Sequence, residues 1–147
     1  MSTESRHSPD VVRAYEGEGI VVYWEPKLCI HTGNCIRGLP QTFDPEARPW
    51  IDARSASADE IASVILTCPT GALSFERTDD GPQEEPARPA TVQPRKNGPL
   101  FLRGDFEVVD ASGEVARRAT RMALCRCGQS QNKPYCDLSH RAAGFQS

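Results

Sequence analysis

The sequence predicts an α+β chain made of two small units rather than one large core. Three observations carry this. The chain has 147 residues, of which 38% are hydrophobic and 7% aromatic, enough for small cores and thin for a single big one. Its β-rich runs are short, and one capped amphipathic run stands out as helical. Finally, the composition changes abruptly near residue 78, where prolines begin to crowd among charged and small residues. These divide the chain into a disordered polar tail (1–14), a first unit (15–77), a Pro-rich linker (78–97) and a second unit (98–147).

Gly19-Ile20-Val21-Val22-Tyr23-Trp24 is rich in β-formers and reads as a strand that Pro26 ends. A loop bearing Cys29 and Cys35 follows, and Arg48-Pro49-Trp50-Ile51 reads as a second short strand. Ser57-Ala58-Asp59-Glu60 is a capping box, in which the Ser oxygen accepts from the N3 amide and Glu60 reaches back. Ile61, Val64 and Ile65 mark one helical face, and Cys68-Pro69 closes the run because the residue before proline disfavours the α region. Leu73-Ser74-Phe75 reads as a closing strand. Trp24 and Trp50 are assigned to the core.

Between Thr78 and Gly98, Pro82, Pro86, Pro89 and Pro94 favour an extended, semi-rigid linker, with a strap packed on one unit as the alternative. Leu100-Phe101-Leu102 and Phe106-Glu107-Val108-Val109 read as strands. Asp110-Ala111-Ser112-Gly113 turns the chain into a return strand from Glu114. Arg117, Arg118, Arg121 and Arg126 read as a solvated face.

The formal charge is −3, with the acid excess in front and a slight basic excess behind, and neither argues for nucleic acid. The opening residues lack the apolar stretch of a secretory signal, and no run approaches the ~18 apolar residues of a membrane span. A cytoplasmic location is therefore expected. Disulfides are rare in that reducing compartment, so the six cysteines call for metal or cluster ligation. Arginine outnumbers lysine, and Ala and Pro abound, as in a GC-rich bacterial genome.

The strongest signal is Cys125-Arg-Cys127-Gly128 through Cys136-Asp-Leu-Ser-His140, three thiols and one imidazole in a single short run. Thiolates suit iron–sulfur clusters, Zn²⁺ and Cu⁺. Gly128 lets the backbone turn so that both sulfurs of the C-x-C reach one side, and Cys136 and His140 meet across one helical turn. On spacing alone a structural Cys₃His zinc site competes equally. Asp137 is assigned to helix capping. Ser130 either donates to a cluster sulfur or holds the turn.

This segment resembles the CDGSH-type, mitoNEET-like iron–sulfur family, whose pattern is C-x-C-x2-(S/T)-x3-P-x-C-D-G-(S/A/T)-H. Cys125, Cys127, Ser130, Pro134, Cys136, Asp137, Ser139 and His140 meet it. Leu138 stands where the family has glycine, which leaves the backbone beside His140 in question. The resemblance implies a [2Fe–2S] cluster with Cys125 and Cys127 on the inner iron and Cys136 and His140 on the outer one. A neutral imidazole in place of a thiolate should raise the potential. Protonation of His140 should release the cluster below about pH 6–7, a dependence that His140→Cys should remove.

In front, Cys29-Ile30-His31-Thr32-Gly33-Asn34-Cys35 is a C-x5-C loop, with Thr32 where a ferredoxin has its middle cysteine, and Cys68-Pro69-Thr70-Gly71-Ala72-Leu73 follows the helix. Residues 15–77 resemble the divergent mono-cluster [4Fe–4S] ferredoxin family through CIHTGNCIRGLPQTFD, RPWI and CPTGAL. The resemblance implies Cys29, Cys35 and Cys68 as ligands of a [4Fe–4S] or [3Fe–4S] cluster, with His31 as a candidate fourth ligand. The implied architecture is a small ferredoxin-like domain followed by a small β-rich CDGSH-type domain.

No catalytic triad, phosphate loop or dinucleotide fingerprint is present, and the chain is expected not to be an enzyme. Electron transfer with a redox partner protein is the first expectation. Cluster storage or delivery to an apo-acceptor, or redox sensing through the back site, is the alternative. A zinc-stabilised interaction module is the third. A homodimer through the back unit is expected from the second resemblance.

Overall fold

The computed structural model describes residues 12–147. Most of the expected tail lies outside them. Its last residues do not behave as a tail: Arg13–Glu16 form strand β1, antiparallel to β2 (Ile20–Trp24). Strand β2 also pairs antiparallel with β3 (Leu73–Arg77), matching Trp24 with Leu73 and Ile20 with Arg77. The first sheet therefore has the order β1-β2-β3.

Between β2 and β3 run a 3-10 turn (Pro26–Leu28), a short helix α1 (Asn34–Gly38) and α2 (Ala58–Ile65). The capping box forms as read: Ser57 Oγ accepts from Glu60 N and Glu60 returns to Ser57 N, each at 3.1 Å. Such a cap contributes about 1 kcal/mol. Ile61 and Ile65 then pack on Ile20, Val22, Phe43 and Ile51, all buried. The expected strand at 48–51 is reduced to one bridge, Ile51 to Phe43, because Pro49 has no N–H for a ladder.

The second sheet has the order β4-β5-β6 (Thr91–Pro94, Leu100–Val109, Val115–Leu124). The two strands expected at 100–102 and 106–109 are one strand, with the register slipping between Arg103 and Phe106. A final helix, α3 (Ser139–Ala143), carries His140, the last residue of the ligand-rich run. The architecture is thus two small three-stranded antiparallel sheets with few helices.

The segment 78–97 differs most from its reading as a spacer. Gln83 exchanges two hydrogen bonds with the Arg77 backbone, each 2.9 Å. Glu84 binds Arg121 and Thr120, and Thr91–Pro94 join the second sheet as its edge. Proline is tolerated at a sheet edge, which is why a Pro-rich run can hide a strand. The chain here is a strap laid across both halves.

The halves share an apolar seam. Leu28 and Ala72 from the front pack with Leu102, Met122 and Tyr135 from the back. Polar contacts flank it. Arg117 grips Glu25 at 2.8 Å, and Asn132 Nδ2 donates to Lys27 O at 3.1 Å. Gly71 lies so close to β6 that a Cβ would stand 2.5 Å from the Arg121 carbonyl oxygen, and its φ is +75°. No other residue type fits there without moving backbone.

Candidate metal centres

The back centre is assembled by local turns. Strand β6 ends at Leu124, and the Cys125 amide donates to Pro134 O at 2.7 Å, folding the run back on itself. Ser130 is buried; its hydroxyl donates to Tyr135 O at 2.6 Å and accepts from Asn132 N at 3.0 Å. The hydroxyl holds the turn, while the Ser130 amide faces Cys125. Asp137 takes amides from Ser139 and Gln131, at 3.0 and 2.8 Å, and braces the approach to α3; it is not the helix cap expected, since the N-cap is Leu138 and makes no side-chain bond.

The four donors stand as two pairs. Cys125 Sγ is 3.8 Å from Cys127 Sγ, and Cys136 Sγ is 3.7 Å from His140 Nδ1. Two ligands each ~2.3 Å from one tetrahedral ion lie about 3.8 Å apart. Each pair therefore has the spacing to share one metal atom. Among the described residues, no three His, Cys, Asp or Glu side chains converge on a single ion position. The arrangement suits two metal atoms better than one.

Amides face the back sulfurs: Gly128 N to Cys125 and Gln129 N to Cys127, both 3.3 Å, and Leu138 N to Cys136, 3.4 Å. Burial alone would raise the Cys125 thiol, but the Ser130 and Gly128 amides and the Cys127 thiol outweigh it, and the net shift is down. Burial leaves Cys136 raised. Burial, with Arg141 adding, also holds His140 below the ordinary imidazole value, while Asp137 opposes.

Leu138 adopts φ 72°, the left-handed region that glycine would enter freely. Leucine holds this conformation at a conformational cost. Its side chain packs on Ile30, Ala123 and Cys136, a buried group drawn from both halves.

The front centre is assembled from distant pieces. The loop from Cys29 and the end of α2 bring Cys29, Cys35 and Cys68 to the wall of one cavity of about 550 Å³. His31, held at φ 58°, lines it too, with Nδ1 3.7 Å from Cys29 Sγ. Thr70 Oγ1 is 3.6 Å from Cys68 Sγ. Burial pushes the Cys29 and Cys35 thiols up, with Cys68 adding to both. Thiolates there need a cationic occupant. Trp24 and Trp50 meet edge to face at 4.9 Å, pack on the core and also line the cavity. The buried Trp50 Nε1 has no hydrogen-bond partner among the described residues. An occupant that presents soft metal ions to the three thiolates fits this set.

Residues 15–78 match the family model of the divergent 4Fe-4S mono-cluster, and residues 97–141 match that of the iron-binding zinc finger of CDGSH type. The chain is 41% identical over 63 residues to the uncharacterized protein YjdI of Escherichia coli K12, a span covering 43% of this chain and 83% of that relative. The same figures hold for YjdI of E. coli O157:H7. The chain belongs to the divergent 4Fe-4S mono-cluster family. It carries a CDGSH-type iron-binding segment behind that domain, so it is an iron–sulfur protein of composite build. None of its helices is long and apolar enough to cross a membrane, among the described residues.

One residue near the mono-cluster centre escaped the sequence reading. Arg121, assigned to a solvated face, is 2% exposed. Its guanidinium donates to the carbonyls of Ile65, Cys68 and Leu73, at 3.1, 2.7 and 2.9 Å, and pairs with Glu84 at 2.8 Å. It ties a front cysteine's own backbone to the strand that leads into Cys125. Arg117 is likewise mostly buried, whereas Arg118 remains exposed with Glu107. The missed signal was alternation: 117 and 121 share a face of β6, and two arginines on one face need buried carboxylates elsewhere in the chain.

Proposed function

We propose that the protein is a two-centre electron carrier. Cys125 and Cys127 hold one iron of a [2Fe–2S] cluster, and Cys136 and His140, through Nδ1, hold the other. Cys29, Cys35 and Cys68 hold a [4Fe–4S] cluster in a ferredoxin-like front domain, with [3Fe–4S] as the alternative nuclearity and His31 within reach of the remaining iron. When bound, these clusters accept and release single electrons. The chain's residues supply ligation, amide donors and burial that set the potentials.

The observation that carries the reading is the pairing of the back donors in twos, together with the seam that joins the two ligand loops. Ile30, next to Cys29, belongs to the same buried group as Cys136. Electrons can therefore pass between centres without a swinging linker. On this reading the protein transforms no substrate of its own and serves a redox partner inside a bacterial cell. A dimer through the back half remains part of the proposal, and sedimentation at micromolar concentration checks it.

Anaerobic purification with iron and acid-labile sulfide counts tests the reading, alongside electron paramagnetic resonance of the as-isolated and reduced protein. Two distinct signals that survive a cycle of reduction and reoxidation are expected. Zinc at the back site, with no sulfide, sinks it. Rapid passage of the back cluster to an apo-acceptor during that cycle moves the role to cluster delivery.

A further inference from the structure

The rim of the front cavity is charged in one sign. Arg13 and Arg48 line the cysteine cavity itself, and Arg37, Arg95 and Arg103 line a neighbouring groove of about 470 Å³. Among the described residues, not one Asp or Glu lines either space. This is unexpected in a chain with 20 acidic residues against 17 basic ones. Thr32, Asn34 and Pro69 belong to both walls, so the groove opens directly beside the cysteine loop.

The five arginines are also uncommitted. The described ion pairs engage Arg77, Arg117, Arg118 and Arg121, and none of these five. Arg37 donates to Asn34 Oδ1, Arg48 to the Pro45 and Ala47 carbonyls and Arg103 to Leu66 O, while Arg95 stacks on Phe101. Those neutral contacts hold four of the five guanidiniums and leave their charge unbalanced. Arg103 acts on Glu84 only at longer range.

We propose that this arginine face is the docking surface for the acidic face of a redox partner, which exchanges electrons with the front centre. The inference rests on the electron-carrier reading and adds the partner's chemistry to it. A one-signed patch beside the electron exit steers an oppositely charged partner and orients it there. The bulk of the chain, being net negative, repels the same partner elsewhere. The surroundings of the back centre are of mixed sign: Arg141 and Asp137 act on His140 in opposite directions.

Small charged oxidants test this without knowing the partner. The full-length protein is reduced, and oxidation of the front centre is followed by its own resonance signal after rapid freezing. One electron leaves the cluster and reduces either ferric EDTA, an anion, to its ferrous form or hexaammineruthenium(III), a cation, to ruthenium(II); no proton moves. Ionic strength is raised from about 0.01 M to about 0.15 M, which shortens the screening length from ~30 Å to ~8 Å.

The expected result is an anion rate that falls about tenfold with salt and a cation rate that rises. In Arg37→Glu/Arg95→Glu the two dependences exchange, while Arg37→Lys/Arg95→Lys keeps the wild-type pattern. An anion rate that rises with salt, as the net charge of −3 dictates, overturns the proposal. So does a rate indifferent to salt, which would mean the arginines only balance the cluster's own charge. Tight binding of duplex DNA by this face at physiological salt overturns it in favour of nucleic acid. Iron, sulfide and resonance measured beforehand keep these outcomes separate from failure of the two-centre reading.

Discussion

The back ligands come from one run, residues 125–140, and the front ligands from two stretches that only folding brings together. Local turns set the first: the Cys125 amide bonded to Pro134 O closes the loop from within, and Ser130 and Asp137 bind amides a few residues away. The second depends on remote support, since Cys68 is held through its carbonyl by Arg121 from the other half. A centre built locally should tolerate damage elsewhere. A centre built by tertiary contact should be lost first when the seam is loosened.

Arg121→Met is the most severe way to break that comparison. It leaves the half-buried Glu84 without its ion-pair partner and takes a donor from three carbonyls, of which Ile65 O keeps the Cys68 amide. Removing one partner of a buried pair costs about 3–5 kcal/mol. Chemical denaturation should show a loss of that order, and iron analysis should show the front cluster depleted ahead of the back. Adding Glu84→Gln should recover part of the stability. Depletion of the back cluster first would mean that the local turns are not self-sufficient.

Ligand removal asks whether the centres load separately. Cys68→Ala should abolish the front resonance signal and leave the back signal within about twofold, because Arg121 binds the carbonyl of residue 68 and not its side chain. Cys136→Ala should do the converse. If either variant empties both centres, assembly is coupled through the seam, and the local-versus-remote contrast fails.

How much of this was legible in the sequence follows the same division. The capping box and strands β2 and β3 rest on neighbours within a few residues and appear where expected; Cys136 and His140 also meet, but across a left-handed Leu138 and not the helical turn expected, since α3 begins at Ser139. Strand β1 was invisible because Arg13-Ala14-Tyr15-Glu16 is short and mostly exposed, with no apolar alternation. Strand β4 was hidden by Pro94 and by the prolines that precede it. Arg121 was misread because the charge of a side chain says nothing about a carboxylate 37 residues earlier or a carbonyl 53 residues earlier. Such positions are decided by the seam, and the seam is a tertiary fact.

Acidity separates the centres by ligand chemistry. On the proposed ligand set the back site depends on an imidazole, His140, that must stay neutral to bind, whereas three thiolates carry the front site with or without His31. Retention is therefore complete above the His140 pKa and fails as pH falls through it. Burial lowers that pKa, so the onset should lie below the reference value of about 6.5. Loss of visible absorbance against pH should accelerate about tenfold per unit below the onset. His140→Cys should remove this acceleration, and the front cluster's loss should not follow the same curve. Identical curves for wild type and His140→Cys would refute the assignment of His140.

Leu138 offers the smallest effect and the finest test of the seam. Its left-handed backbone costs roughly 1 kcal/mol relative to glycine. Its half-buried side chain contributes roughly the same through Ile30, Ala123 and Cys136. Leu138→Gly should therefore change stability by less than about 1 kcal/mol, the two terms offsetting. Leu138→Ala keeps the backbone cost and loses most of the packing, so thermal denaturation should place it below Leu138→Gly by about 1 kcal/mol. The ordering matters more than the size. Should Ala equal or exceed Gly, the positive φ would be a product of leucine's packing, not a demand of the turn between Cys136 and His140.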